Sequence, residues 1–170
     1  MRFLKGTKSL SFRRLPVVDP DIAGVSDHIS GVRRVAIVEA PIDIQALTCH
    51  VQDRGIGAVS IFLGTVRDVN DGKDVSGIDY EAYHPMAERE LRAIACEVCD
   101  RFPGLRLAIE HRVGTLSVGD VSVAIATAHA RRAPALAAAK EVIDALKRRV
   151  PIWKREHYVD GARRWVDPTA

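Results

Sequence analysis

An α+β domain, with helices packed on a mainly antiparallel sheet, is predicted for this 170-residue chain from three observations. Apolar and polar residues alternate in several short runs, the period of half-buried strands. Two longer segments, near residues 87–102 and 136–150, instead repeat apolar residues at the three- and four-residue spacing of an amphipathic helix. A composition of 47% hydrophobic and 28% charged residues suits one globular domain with a real core.

In chain order, residues 1–30 read as a flexible N-terminal arm, because Pro16, Pro20 and Gly24 interrupt weak apolar pairs. His28 in this arm reads as solvent-exposed, and residues 31–170 read as the domain. Val35 to Glu39 is expected as a strand, after which Asp43 caps a short helix carrying Ile44, Leu47 and Val51. Gly57 to Leu63 and Val75 to Tyr83 read as strands joined by the polar turn Asn70-Asp71-Gly72-Lys73. Pro85 opens a helix whose stripe is Ala87, Leu91, Ile94, Val98 and Phe102, and Pro103-Gly104 ends it. Leu105, Leu107, Ile109 and His111 alternate as a strand, and Ser117 to Asp120 turns the chain into a strand from Val121 to Thr127. The last helix carries Leu136, Ala139, Ile143, Leu146 and Val150, and a short strand is expected from Arg164 to Val166.

The sharpest chemical feature is the run Leu146-Lys147-Arg148-Arg149-Val150-Pro151-Ile152-Trp153-Lys154-Arg155-Glu156. Pro151 forbids the helix from continuing and biases Val150 toward extended geometry. Lys147 therefore closes a helix while Lys154 lies beyond the break, so two ammonium groups approach one region from differently held backbones. At about 100° per residue, Lys147 falls roughly 40° from Ile143, on the rim of the apolar stripe. A packed stem and a partly desolvated amine are the setting that a lysine nucleophile or proton carrier uses. The same spacing also describes a basic helix end that complements the macrodipole and snorkels past the core.

Other function classes find less support. No apolar stretch approaches the roughly 20 residues needed to span a bilayer. Met1-Arg2-Phe3-Leu4-Lys5-Gly6 lacks the apolar region of a secretory signal, so a cytoplasmic protein is expected. Three cysteines point to a reduced compartment without a disulfide framework. Cys96 and Cys99 form C-x-x-C inside a helix and not at its start, and a zinc set would need distant Cys49 and His50, so inert thiols and no metal are expected. Residues 129–170 hold ten Lys/Arg against five Asp/Glu. Such clusters also mark nucleic-acid binding, but aromatic residues are only 5% and no nucleic-acid motif is present, so no nucleic acid is expected.

Over about residues 35–167 the chain resembles the MoaE family, the large catalytic subunits of molybdopterin synthase. Five blocks carry the likeness in order: Gly57-Ala58-Val59-Ser60-Ile61-Phe62-Leu63-Gly64-Thr65-Val66-Arg67; Tyr80-Glu81-Ala82-Tyr83-His84-Pro85-Met86-Ala87; His111-Arg112-Val113-Gly114-Thr115-Leu116 with Gly119-Asp120; the lysine run; and Asp160-Gly161 with Arg164-Trp165-Val166. The resemblance implies the α/β-hammerhead fold and a sulfurtransferase of molybdenum cofactor synthesis. It implies sulfur drawn from the C-terminal Gly-Gly thiocarboxylate of a small ubiquitin-like partner and delivered to cyclic pyranopterin monophosphate, with no cofactor. A homodimer within a heterotetramer is the assembly it implies.

By the same resemblance Lys147 and Lys154 are the catalytic pair and Arg67 binds substrate. Arg164 and Arg132 are further candidate anion ligands. Phe62, Met86 and Trp153 are candidates to line the pocket, with ordinary core positions as the alternative. The family's His-Arg pair aligns with Arg131-Arg132, leaving histidine two residues earlier at His129. Either His129 reaches the site from its strand, or Arg131 preserves only the charge, since arginine cannot shuttle a proton near neutral pH. This displacement leaves open a non-catalytic module that docks a Gly-Gly tail.

Overall fold

A computed structural model describes residues 31–166, so the expected arm over residues 1–30, with His28, lies outside the described residues. The chain runs β1 (Val32–Val38), α1 (Ile44–Val51), β2 (Ala58–Thr65), β3 (Val69–Asn70), β4 (Lys73–Ala82) and α2 (His84–Arg101). It continues through β5 (Arg106–Arg112), β6 (Gly114–Ser117), β7 (Val121–His129), α3 (Arg132–Arg149), β8 (Ile152–Tyr158) and β9 (Arg163–Val166).

Local chemistry sets the element ends. Asp43 accepts a hydrogen bond from the Ala46 amide at 2.9 Å, capping α1 as expected. Pro85 lies in the first turn of α2, where its missing N–H costs nothing. Val150 ends α3 at φ −79° and ψ 126°, the extended geometry that Pro151 demands of its predecessor.

The strands form two sheets. The first has the order β1-β5-β7-β2, antiparallel except for the parallel β1–β5 pair. The second has the order β3-β4-β8-β9, with β6 also pairing β4, and all its pairs are antiparallel. An α+β architecture with a mainly antiparallel sheet is therefore observed.

One face of the first sheet buries Leu107, Ile109 and Ile125 against Leu91, Ile94 and Val98 of α2 and Val142 and Leu146 of α3. The opposite face carries Ala108, Ala124, Ala126 and Ala128, whose small side chains let Leu47 and Val51 of α1 pack closely. Each fully buried Leu or Ile here contributes on the order of 2 kcal/mol.

Three expectations are corrected. Leu136 is 60% exposed, and the buried row of α3 instead begins at Ala135 and Ala138, alanines whose weak apolar signal gives way to close approach against the sheet. The segment Ile152–Tyr158, read only as the chain beyond a break, is the strand β8 paired along β4. The short strands β3 and β6 also escape the sequence reading.

Beneath β8 a polar cluster fastens β4, β6 and β8. Asp79, only 8% exposed, accepts hydrogen bonds from His157 Nε2 at 2.7 Å, Arg155 Nη2 at 2.8 Å and Thr115 Oγ1 at 2.8 Å. Burial pushes the Asp79 carboxyl up, but the donors Arg155, His157 and Thr115 outweigh it and bring it down to about 2.

Candidate active site

Where the carboxyl end of α3 meets both sheets, a cavity of about 330 Å³ opens. Its apolar walls include Phe62, Ile78, Val123, Ile143, Leu146 and Ile152. Arg67, Lys147 and Lys154 supply three cations against the single carboxylate of Glu156, so the lining is net positive. A Cβ at Gly64, also in the lining, would stand 2.6 Å from Val123 Cγ1, so the close approach of β2 to β7 here requires glycine.

The three cations come from separate pieces of backbone. Arg67 follows β2, Lys147 lies in the last turn of α3, and Lys154 is the third residue of β8. Pro151 makes this possible by ending the helix between the two lysines. A small anion entering the cavity meets Arg67 and Lys154 already held by Asn70 and Glu156, with Lys147 at the mouth, an arrangement suited to electrostatic stabilisation.

The two lysines differ in environment. Lys147 is exposed, correcting the expectation that its amine is partly desolvated, because the last helical turn opens onto the cavity mouth and solvent. Lys154 is the sheltered one: its side chain is 19% exposed, with Nζ 3.0 Å from Glu156 Oε1.

Glu156 is buried and fully engaged. Its Oε2 accepts from Tyr158 Oη at 2.7 Å and from Asn70 Nδ2 at 3.1 Å, and Arg67 Nη2 donates to Asn70 Oδ1 at 3.0 Å. Burial pushes the Glu156 carboxyl up, yet donation from Tyr158, Lys154 and Asn70 holds it below the usual range, keeping it an anion.

His111 forms a neutral wall. Its Nδ1 lies 2.9 Å from the carbonyl oxygen of Arg112, which only accepts, so Nδ1 carries the proton and Nε2 is left as an acceptor. Burial lowers its pKa to about 4, so the ring is uncharged at neutral pH. The Tyr80 ring meets it edge-on at 5.3 Å, and burial raises the Tyr80 phenol.

The structure gathers Arg67, Lys147, Lys154 and Phe62 around this cavity and leaves the other candidates outside its lining. Trp153 is 50% exposed, since strand alternation turns it away from the face of Lys154, and Met86 at the start of α2 is 45% exposed. Arg164 on β9 pairs in register with Glu156 but is exposed. His129 shares the odd-numbered face of β7 with Val123 but lies about 20 Å further along the strand. There its Nε2 contacts the Pro103 carbonyl at 3.2 Å and its Nδ1 accepts from the Arg131 amide at 2.9 Å. Arg131 and Arg132 are exposed at the opposite end of α3 from Lys147.

Sequence reasoning passed over Asn70, Glu156, His111 and Tyr80 as site residues. His111 left a signal, a histidine continuing the apolar row Leu105, Leu107 and Ile109. Asn70 read only as a turn residue, and Glu156 only as a charge in the lysine run.

The cysteines lie elsewhere. Burial raises the Cys96 thiol and pushes Cys99 up to about 12, so both are protonated and poorly nucleophilic. Among the described residues, no group of three or more His, Cys, Asp or Glu is placed to hold a metal ion.

A model of the MoaE protein family matches residues 37–149. The molybdopterin synthase catalytic subunit of Halalkalibacterium halodurans is 43% identical over 134 residues, which are 79% of this chain and 85% of that protein. The X-ray crystal structure of molybdopterin synthase from Staphylococcus aureus is similar with a TM-score of 0.75 at 36% identity, over 78% of this chain and 96% of that one. The protein–protein complex of subunits 1 and 2 of the molybdopterin-converting factor from Helicobacter pylori shares the fold, with a TM-score of 0.62 at 22% identity over 77% and 88% of the two chains. The matched residues include the strand leading to Arg67, the buried His111 and the helix whose last turn carries Lys147, and with them this chain belongs to the MoaE protein family.

Proposed function

We infer that the chain is the catalytic subunit of a molybdopterin synthase, an enzyme of molybdenum cofactor biosynthesis. It transfers sulfur from a thiocarboxylated ubiquitin-like small subunit to cyclic pyranopterin monophosphate, forming the dithiolene of molybdopterin. The observation that carries this reading is the convergence of Arg67, Lys147 and Lys154 on a cavity of about 330 Å³.

Both reactants are anions: the substrate bears a phosphate and the partner's tail a thiocarboxylate. Arg67 binds substrate, while Lys147 meets the tail's acyl carbon or the charge that develops there. Lys154, held by Glu156, steadies the same charge from β8. One thiocarboxylate carries one sulfur, so a dithiolene consumes two tails, each released as a carboxylate.

The small subunit is the proposed partner, in line with the two-subunit complex from Helicobacter pylori. A homodimer within a heterotetramer is the proposed assembly. His129, about 20 Å away along β7, and Arg131 and Arg132, at the start of α3, are proposed to reach a ligand in this cavity from a second copy of the chain, which a homodimer supplies. Arg164, beside Glu156, is proposed for anionic groups at the outer edge, and Met86 and Trp153 for contact with the partner's surface. The proposed location is the cytoplasm; among the described residues, no helix is long and apolar enough to cross a membrane.

Mixing the chain with substrate and a thiocarboxylated small subunit tests the reading. Dithiolene should form, and a partner ending in an ordinary carboxylate should give none. Partner binding without product would instead make the chain a docking module.

A further inference from the structure

Arg67 approaches the cavity from the loop after β2 and Lys154 from β8, and one neutral side chain lies between Arg67 and the carboxylate that pairs with Lys154. Asn70 Oδ1 accepts from Arg67 Nη2 at 3.0 Å while its Nδ2 donates to Glu156 Oε2 at 3.1 Å. We propose that Asn70 is a positioning residue that ties Arg67 to the buried Glu156 carboxylate, so that the carboxylate that already holds Lys154 also sets the cation that receives substrate. This inference rests on the sulfur-transfer reading of the site.

The chemistry of the two neighbours dictates the amide. A guanidinium only donates and a carboxylate only accepts, so the residue between them must present an acceptor to one and a donor to the other. Asparagine does both without adding charge. Aspartate would place a second carboxylate beside Glu156, and alanine would reach neither group.

The backbone holds Asn70 for this task. Asn70 ends β3 and pairs with Lys73, the first residue of β4, across Asp71 and Gly72. Those two residues have φ of 49° and 73°, the positive values of a tight type I′ hairpin turn. β4 in turn pairs with β8, which carries Glu156 and Lys154. At the other end Glu156 is 1% exposed, with Tyr158 on the oxygen that Asn70 uses and Lys154 on the other, so the carboxylate has no freedom to follow a wandering arginine. Arg67 itself is exposed, and without Asn70 nothing else among the described hydrogen bonds restrains its guanidinium.

Steady-state kinetics of Asn70→Ala and Asn70→Asp, with the full chain and a thiocarboxylated small subunit, test the proposal across mildly acidic to mildly alkaline pH. Asn70→Ala should raise KM about five- to tenfold and change kcat little, because binding loses a pre-set cation while the lysines stay in place. Asn70→Asp should work nearly as well as wild type at acidic pH, where the introduced carboxyl shares a proton with Glu156 and donates in place of the amide. Its KM should then climb as pH rises and the two carboxylates repel. A merely structural role would not produce that pH dependence. Unchanged KM in Asn70→Ala, or wild-type pH behaviour in Asn70→Asp, would overturn the proposal.

Nitrogen NMR of the Arg67 guanidinium in the unliganded protein reads the tether without turnover. Slow rotation in wild type that becomes fast in Asn70→Ala, which has no acceptor for the guanidinium, supports the coupling even if wild type makes no dithiolene, an outcome that would defeat the sulfur-transfer reading alone. Equal rotation in wild type and Asn70→Ala would overturn the coupling regardless of turnover.

Discussion

Lys147 and Lys154 were both legible in the sequence because Pro151 stands between them, but their environments were not. The reading placed the sheltered amine on Lys147, whereas Lys154 is the sheltered one, paired to a carboxylate that is 1% exposed. Glu156 and Asn70 lie 86 residues apart in the chain, a pairing no local pattern reports. Lys147→Ala should abolish turnover with an unchanged thermal melt, as an exposed lysine adds little to stability. Lys154→Ala should impair turnover strongly and also lower stability by about 1–3 kcal/mol in urea titration, since a buried carboxylate loses a charged donor. Cys96→Ser combined with Cys99→Ser should leave turnover within about twofold, because half-buried, protonated thiols outside the cavity do not carry the sulfur. A folded but inactive double variant would place the sulfur source in this chain.

At the scale of elements, α1, α2 and α3 follow from periodicity, since each has one apolar stripe, and β5 and β7 follow from short apolar runs buried on both faces of the first sheet. β8 does not, because both of its faces are polar: Lys154 and Glu156 face the cavity, while Arg155 and His157 turn to Asp79. The same arrangement makes stability depend on pH in two windows. Buried His111 has its pKa lowered to about 4 from 6.5, so on acidification the unfolded chain takes up a proton that the folded one refuses, and stability falls over that window. Asp79 has its carboxyl lowered to about 2 from 3.8, so its contribution is complete above about 3.8 and is lost as pH falls toward 2. Urea midpoints measured against pH should therefore fall in both windows. His111→Gln should flatten the upper and Asp79→Asn the lower, and an unchanged upper slope in His111→Gln would assign it to other groups.

For the whole molecule, sequence blocks scattered over about a hundred residues converge on one cavity. The first supplies Phe62, Gly64 and Arg67, the second Tyr80, the third His111, and the lysine run Lys147 and Lys154. Three-dimensional convergence of residues unrelated in local structure explains why the family was recognisable while the geometry was not. It also explains why Arg131 and Arg132 looked adjacent to the site by alignment yet stand at the far end of α3. Sedimentation should give twice the chain's mass for the protein alone and a four-chain complex once the small subunit is added. A monomer that nevertheless turns over would remove His129, Arg131 and Arg132 from the chemistry.

The most direct test is single-turnover conversion of cyclic pyranopterin monophosphate, with the thiocarboxylate sulfur of the small subunit isotopically labelled and Lys147→Ala run beside wild type. Labelled dithiolene from wild type and none from the folded variant is the predicted result. Equal product from both would contradict the role of Lys147, and unlabelled product would contradict the partner as the source of sulfur.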